Sequence, residues 1–246
     1  MKRGRGRLIA LEGIDGCGKS TQASLLADAL GAVCTFEPGA TELGVALRRL
    51  LLDPGLPVVS DRAEALLMVA DRAQHVDEVV EVSLAAGKWV VTDRFSGSTL
   101  AYQGHGRGLD MDSLQTLVAW AQGGVAADLS VLLDIPLEDA ARRRSDNTGV
   151  ALGTNGEIPD RLEGLDLSFH RRVRDGYLSL AAADPDHWSV VDGLGTSAEV
   201  AARVMAVVAE RLGPPPTATS APPPASPPLS PAPPLSRRHL GSEGGG

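Results

Sequence analysis

The chain has 246 residues, 43% of them apolar, which is enough for one substantial core and does not demand a second domain. Its formal net charge of -8 at pH 7 argues against a broad nucleic-acid-binding face, so an anionic ligand needs a local basic pocket. Cys17 and Cys34 are too few for a disulfide framework and lack C-x-x-C spacing; with no apolar run of about 18 residues, and a basic start, MKRGRGR, that leads straight into a short strand, a cytoplasmic protein without membrane attachment is expected.

The first β-rich run, Leu8 to Glu12, is followed at once by GIDGCGKS at 13–20, a complete GxxxxGK[ST], and then by the helical pattern TQASLLADAL. Glycines in such a loop let backbone N–H groups converge on phosphate oxygens, and a helix starting near Lys19 turns its positive end on them. The predicted segment that binds nucleotide phosphates is therefore Gly13, Ile14, Asp15, Gly16, Cys17, Gly18, Lys19, Ser20 and Thr21. Lys19 is expected to reach the β- and γ-phosphates, and the hydroxyl of Ser20 to hold Mg²⁺. Cys17 is either a small space-filling residue or a thiol whose pKa the helix N-terminus lowers.

A second run, Ala32 to Phe36, leads into EPGAT and the helical pattern ALRRLLLD. After Asp61, Leu66, Val69, Ala73, Val76, Val80 and Leu84 fall at steps of three and four, the apolar stripe of one long helix that stops at Gly87. The third run, Trp89 to Asp93, opens onto DRFSGSTLAYQGHGRGL, where Gly104, Gly106 and Gly108 read as a turn permitting close approach. The fourth, Leu129 to Asp134, precedes a helical pattern from Asp139 to Arg144 and then SDNTGVALGTNGEIP, a candidate mobile lid. Trp188 to Asp192 is the fifth. Strands alternating with helices imply an α/β fold, a parallel five-stranded sheet flanked by helices with ligands at its carboxyl edge. Asp93 and Asp134 both end strands there, and spacing alone leaves them as rivals for Mg²⁺. Residues 213–246 hold 11 of the 17 prolines among Ala, Ser and Gly, so a disordered tail is expected after a body of residues 1–212.

Four segments beyond the phosphate loop occur in order: FEPGAT at 36–41, ALLMVADRAQHV at 65–76, DRFSGSTLAYQGHGRGL at 93–109 and DRLE at 160–163. Together with GIDGCGKS they resemble the thymidylate kinase family of P-loop nucleoside monophosphate kinases, from about Leu8 to Leu212. The resemblance implies transfer of the γ-phosphoryl of ATP to dTMP, giving dTDP, with Mg²⁺ and in a homodimer. It assigns Asp93 to the metal, ahead of Asp134, and Arg94 to phosphate, for which a planar guanidinium fork is suited. It places Ser98, Thr99, Tyr102 and Gln103 in the dTMP pocket, Tyr102 near the sugar carbon that lacks a hydroxyl. Arg72 matches the arginine that meets the thymine carbonyl, Asp15 the carboxylate facing the 3′-hydroxyl, and Arg48 an arginine on the dTMP phosphate, with Arg49 pointing elsewhere. Glu37 fixes either the turn with Pro38 and Gly39 or the metal shell.

Positions 14–17 offer no base, so the chain looks like the subtype whose lid supplies the catalytic arginine. Arg161, in DRLE beside Asp160 and Glu163, is the first choice, and Arg142, Arg143 and Arg144 compete with it. The chain departs from the family at Phe36, where arginine usually precedes EPG, at Met68, where an aromatic usually stacks on thymine, and in a longer lid. Met68 reads either as the floor of the base pocket or as core. Two other classes fit part of the pattern: a kinase for another deoxynucleoside monophosphate or analogue, and a non-catalytic nucleotide-binding regulator.

Overall fold

The computed structural model describes residues 4–53, 55–150, 162 and 165–213, with residues 146–150 by their backbone alone. Arg161, Asp160, Glu163, most of the predicted lid and nearly all of the proline-rich tail lie outside the described residues.

Five parallel strands, β1 (Leu8–Glu12), β2 (Val33–Phe36), β3 (Val90–Asp93), β4 (Leu129–Asp134) and β5 (Trp188–Asp192), form one sheet in the order β2-β3-β1-β4-β5. Every residue of β1 is buried, as expected of a central parallel strand covered on both faces. Its side chains alternate: Ile9 and Leu11 join Leu26, Phe169, Tyr177 and Val204 in the larger core, while Leu8 and Ala10 pack with Val76, Val80 and Leu84. Three strands begin and end where the sequence places them, and β2 and β3 start one residue late.

The helices are α1 (Lys19–Leu30), α2 (Glu42–Leu52), α3 (Asp61–His75), α4 (Glu81–Ala85), α5 (Ser96–Thr99), α6 (Met111–Gln122), α7 (Leu137–Val150), α8 (Leu167–Ala183) and α9 (Ser197–Leu212). The first turns of α2, α3, α6 and α8 are capped by Thr41, Ser60, Asp110 and Asp166, each accepting a backbone N–H three residues on, and a Thr196–Glu199 capping box starts α9.

Three sequence expectations are corrected. The long stripe is interrupted: α3 passes through a π-helical turn (Val76–Val80) into α4, and Leu66 is exposed. In that part of α3 the buried side carries Glu64, Ala65, Asp71, Arg72 and His75 beside Val69 of the stripe; the helix packs on α2 and on α6, where Val69 meets Val118 and Ala121. Residues 145–150, expected to begin a loop, continue α7. Gly104 and Gly106 lie in a second π-helix (Leu100–Gly106) and not in a turn. There they permit close packing: a Cβ at Gly106 would stand 2.7 Å from the Phe169 ring of α8, and one at Gly104 2.3 Å from Met111 Sδ.

Candidate active site

The loop from β1 to α1 turns on Gly13, Gly16 and Gly18, all with positive φ. A Cβ on Gly16 would lie 2.5 Å from the Ala140 carbonyl oxygen, so the loop rests directly on α7. Lys19 is buried and its Nζ donates to the Ile14 carbonyl at 2.9 Å. Cys17 is buried in the same loop, and burial raises its thiol pKa against the opposing charge of Lys19. It fills space, and the reading of a lowered thiol is corrected.

Ser20 Oγ donates to Asp93 Oδ2, and Asp93 Oδ1 is buried with no hydrogen-bond partner among the described residues. A hydroxyl and an orphaned carboxylate oxygen beside a phosphate loop are hard oxygen donors of the kind Mg²⁺ takes, so the residues fit the ion. Asp134 is not available in the same way, since both its oxygens accept from Arg174 at 2.7 and 2.8 Å.

Arg94 follows Asp93 in the left-handed region, φ 74, a conformation that costs a non-glycine residue about 1–3 kcal/mol. Its guanidinium contacts Asp15 Oδ1 through Nη2 and donates through Nη1 to the Gly13 carbonyl at 3.2 Å, Ser98 Oγ at 3.1 Å and Tyr177 OH at 3.3 Å. Tyr102 donates its hydroxyl to Asp15 Oδ2 at 2.6 Å and lies under Arg94, 5.0 Å from ring centroid to guanidinium carbon. Burial would raise the Asp15 pKa, but Arg94 and then Lys19 outweigh it and hold the carboxylate well below its usual range.

On the other side, three residues of α3 grip the loop after β2. Asp71 Oδ1 accepts the Gly39 N–H at 3.0 Å. Arg72 donates to Glu37 Oε2 through Nε at 3.0 Å and Nη2 at 2.7 Å, to Thr99 Oγ1 at 2.9 Å and to the Phe95 carbonyl at 2.8 Å. His75 Nδ1 meets Glu37 Oε1 at 2.9 Å and its Nε2 meets Thr35 Oγ1 at 2.7 Å. Glu37 stands in the turn with Pro38 and Gly39, as one of its two expected roles has it, and its two oxygens hold Arg72 and His75. Arg48 Nη1 donates to the Pro38 carbonyl at 2.8 Å, while Arg49 is exposed beside Asp53.

One cavity of about 920 Å³ joins these parts. It is lined by Asp15, Gly16, Cys17, Gly18, Lys19, Ser20 and Thr21 from the loop, by Asp93 and Arg94 at the strand end, and by Glu37, Arg48, Met68, Arg72, Ser98, Thr99, Tyr102 and Gln103. Gly13 and Ile14 are the loop members that do not line it. Gln103 is buried and donates to Glu64 Oε1 at 3.0 Å. Met68 does both things expected of it as alternatives, lining the cavity while packing against the larger core. Of the competing arginines, Arg143 lines the cavity and donates to the Cys17 and Gly193 carbonyls at 3.4 and 3.0 Å, and Arg144 Nη1 donates to the Asp15 carbonyl at 2.9 Å. Arg142 is exposed on Asp139.

Sequence reasoning passed over Asp71 and Glu12. Asp71 is buried and lines the cavity with Oδ2 unpartnered among the described residues; burial first, then the nearby charge of Glu37, raise its pKa to about 6. Glu12 is fully buried at the end of β1. A signal existed for both, since each is an acid immediately before a motif residue, in a segment otherwise read as apolar.

The family model described as thymidylate kinase matches residues 11–204. A thymidylate kinase of Solidesulfovibrio magneticus is 48% identical over 210 residues, 83% of this chain and 99% of that one. One of Chromobacterium violaceum is 46% identical over 206 residues, 82% of this chain and 92% of that one. The crystal structure of thymidylate kinase from Ehrlichia chaffeensis superposes with a TM-score of 0.64 at 30% identity, covering 83% of this chain and 99% of that chain. With a phosphate loop, buried Arg72 and half-buried Met68 lining one cavity, and with these matches over most of its length, the chain belongs to the thymidylate kinase family.

Proposed function

We infer that this chain transfers the γ-phosphoryl group of ATP to dTMP, giving dTDP. The observation that carries this is one cavity lined both by Lys19, Ser20, Asp93 and Arg94 and by Met68, Arg72 and Gln103. Phosphoryl transfer asks little covalent chemistry of the protein, so the residues act by positioning and by electrostatics.

The loop N–H groups and Lys19 hold the phosphates of ATP. Ser20 and the unpartnered oxygen of Asp93 would hold Mg²⁺, which would offset charge on the phosphates. Arg94 presents its fork to the phosphate of dTMP, and Arg48 supports the same group from α2. Arg72 meets the thymine carbonyl, with Met68 beneath the ring and Thr99 and Gln103 at its edge. Asp15 takes the 3′-hydroxyl, and the Tyr102 ring occupies the space a 2′-hydroxyl would need. Arg161 remains our assignment for the arginine that joins the transferring group. The contacts of Arg143 with the loop favour it as the alternative.

The catalytic body is residues 1–212, with the remainder a dispensable extension. Among the described residues no helix is long and apolar enough to cross a membrane, and we place the enzyme in the cytoplasm. A homodimer is supported by apolar side chains left exposed on two helices packed together, Leu66 of α3 and Trp120 of α6. ADP release measured across nucleoside monophosphates tests the substrate: dTMP gives the highest rate and dUMP a lower one, since one methyl is worth about 1–3 kcal/mol in an apolar pocket. Preference for a different deoxynucleoside monophosphate would move the assignment to the other kinase class.

A further inference from the structure

Glu12 is the last residue of β1, has no exposed surface, and is used by no step above. Its Oε1 accepts the Phe95 N–H at 3.0 Å, and its Oε2 accepts from Ser98 Oγ at 2.7 Å and from Tyr177 OH at 3.2 Å. Ser98 and Tyr177 are themselves 2.8 Å apart, and each accepts from Arg94 Nη1. Two hydrogen-bond chains thus leave the guanidinium of Arg94, one through a serine hydroxyl and one through a phenol, and both end on one carboxylate oxygen. All donors point the same way, from the positive group to the negative one. Glycine at 97 makes this possible, because a Cβ there would stand 2.8 Å from Glu12 Oε1.

We propose that Glu12 is a positioning residue for Arg94: as terminal acceptor of both chains and as the partner of the Phe95 N–H, it fixes the guanidinium and the left-handed turn that carries it. The proposal rests on the kinase reading of the site. A glutamine cannot substitute, because its amide group offers donors on one side. Facing Phe95, they oppose an N–H. Facing Ser98, they force that hydroxyl to accept from both the amide and Arg94, and one hydroxyl hydrogen of the Ser98–Tyr177 pair is left without an acceptor. Burial pushes the Glu12 carboxyl above its ordinary pKa, and the Ser98 hydrogen bond and the charges of Arg94 and Arg72 oppose that. A buried network of this kind holds its geometry only when every member is satisfied.

The test begins with dTMP-dependent ADP formation by the unaltered chain; without it the kinase reading fails, whatever Glu12 does. Given that activity, Glu12→Gln lowers kcat by about 10- to 100-fold through misplacement of a phosphate-binding group, with the KM for ATP within about twofold of the parent. In a Ser98→Ala/Tyr177→Phe background, where both chains are already cut, the same substitution lowers kcat by less than about twofold. An equal drop in both backgrounds, or a Glu12→Gln enzyme with unchanged kcat, overturns the proposal. If Glu12→Gln does not fold, Ser98→Ala and Tyr177→Phe decide singly: each lowers kcat several-fold, and two silent substitutions overturn it.

Discussion

Replacing Glu37 by Ala isolates the contacts with Arg72 and His75, which the sequence does not suggest. Glu37 and Arg72 form an ion pair whose side chains are 4% and 3% exposed, so the substitution strands a guanidinium in the interior with only Thr99 and the Phe95 carbonyl left. Breaking a buried pair by removing one partner costs about 3–5 kcal/mol, a large part of the roughly 5–15 kcal/mol that holds a domain folded. Removing both charges, as Glu37→Leu/Arg72→Met, recovers most of that loss because no uncompensated charge remains, while dTMP binding stays weak for want of Arg72. Urea denaturation with linear extrapolation reads the difference. The pH dependence gives a second check. Burial would raise the Glu37 pKa, but Arg72 and the His75 hydrogen bond outweigh it and hold it below 4.5, its ordinary value. A depressed carboxylate contributes stability that is present above 4.5 and is lost as pH falls through the lower folded value. Glu37→Gln lacks that loss. A Glu37→Ala loss under about 1 kcal/mol, or identical acid profiles for parent and Glu37→Gln, refutes the reasoning.

Lys19→Ala and Arg94→Ala each reduce turnover by orders of magnitude with the fold intact, since both act on phosphate; among the lid candidates, Arg161→Ala reduces kcat more than Arg143→Ala, and the reverse order in steady-state assays moves the role to Arg143. Met68→Phe lowers the KM for dTMP several-fold with kcat little changed, because ring stacking of about 1–3 kcal/mol acts alike on ground and transition states; a fall in melting temperature without a gain in affinity identifies Met68 as core alone. Asp71 is raised to about 6 in the fold, so its contribution to stability is full below about pH 4 and is lost as pH rises through about 6. Asp71→Asn removes that decline, seen as a flatter melting-temperature profile between pH 4 and 7, and parallel profiles contradict it.

Most of the sheet was legible because its strands are short apolar runs bounded by glycine, proline or acids, a pattern set in β1, β3 and β4 by burial on both faces. The phosphate loop was legible for a different reason: glycines, one lysine and one serine at fixed spacing have few other uses between a strand and a helix. The roles of Glu37, Asp71 and Glu12 were not. Each depends on partners 32 to 165 positions away, such as Asp71 with Gly39 or Glu12 with Tyr177, and no local pattern encodes those meetings. Leu66 misled for a related reason, since helical spacing says which side chains share a face but not where the sheet ends beneath it. Residues 145–150 carry Ser, Asn and Gly, weak helix formers, yet they extend α7, so local propensity alone does not mark the end of that helix.

The most direct test of the central claim follows the phosphate itself. ATP labelled in the γ position is incubated with the full chain, Mg²⁺ and dTMP, and the nucleotides are separated. The account predicts label in dTDP in step with ADP formed, none without dTMP, and near-complete loss in Lys19→Ala. Label released as inorganic phosphate at the same rate with and without dTMP would contradict it.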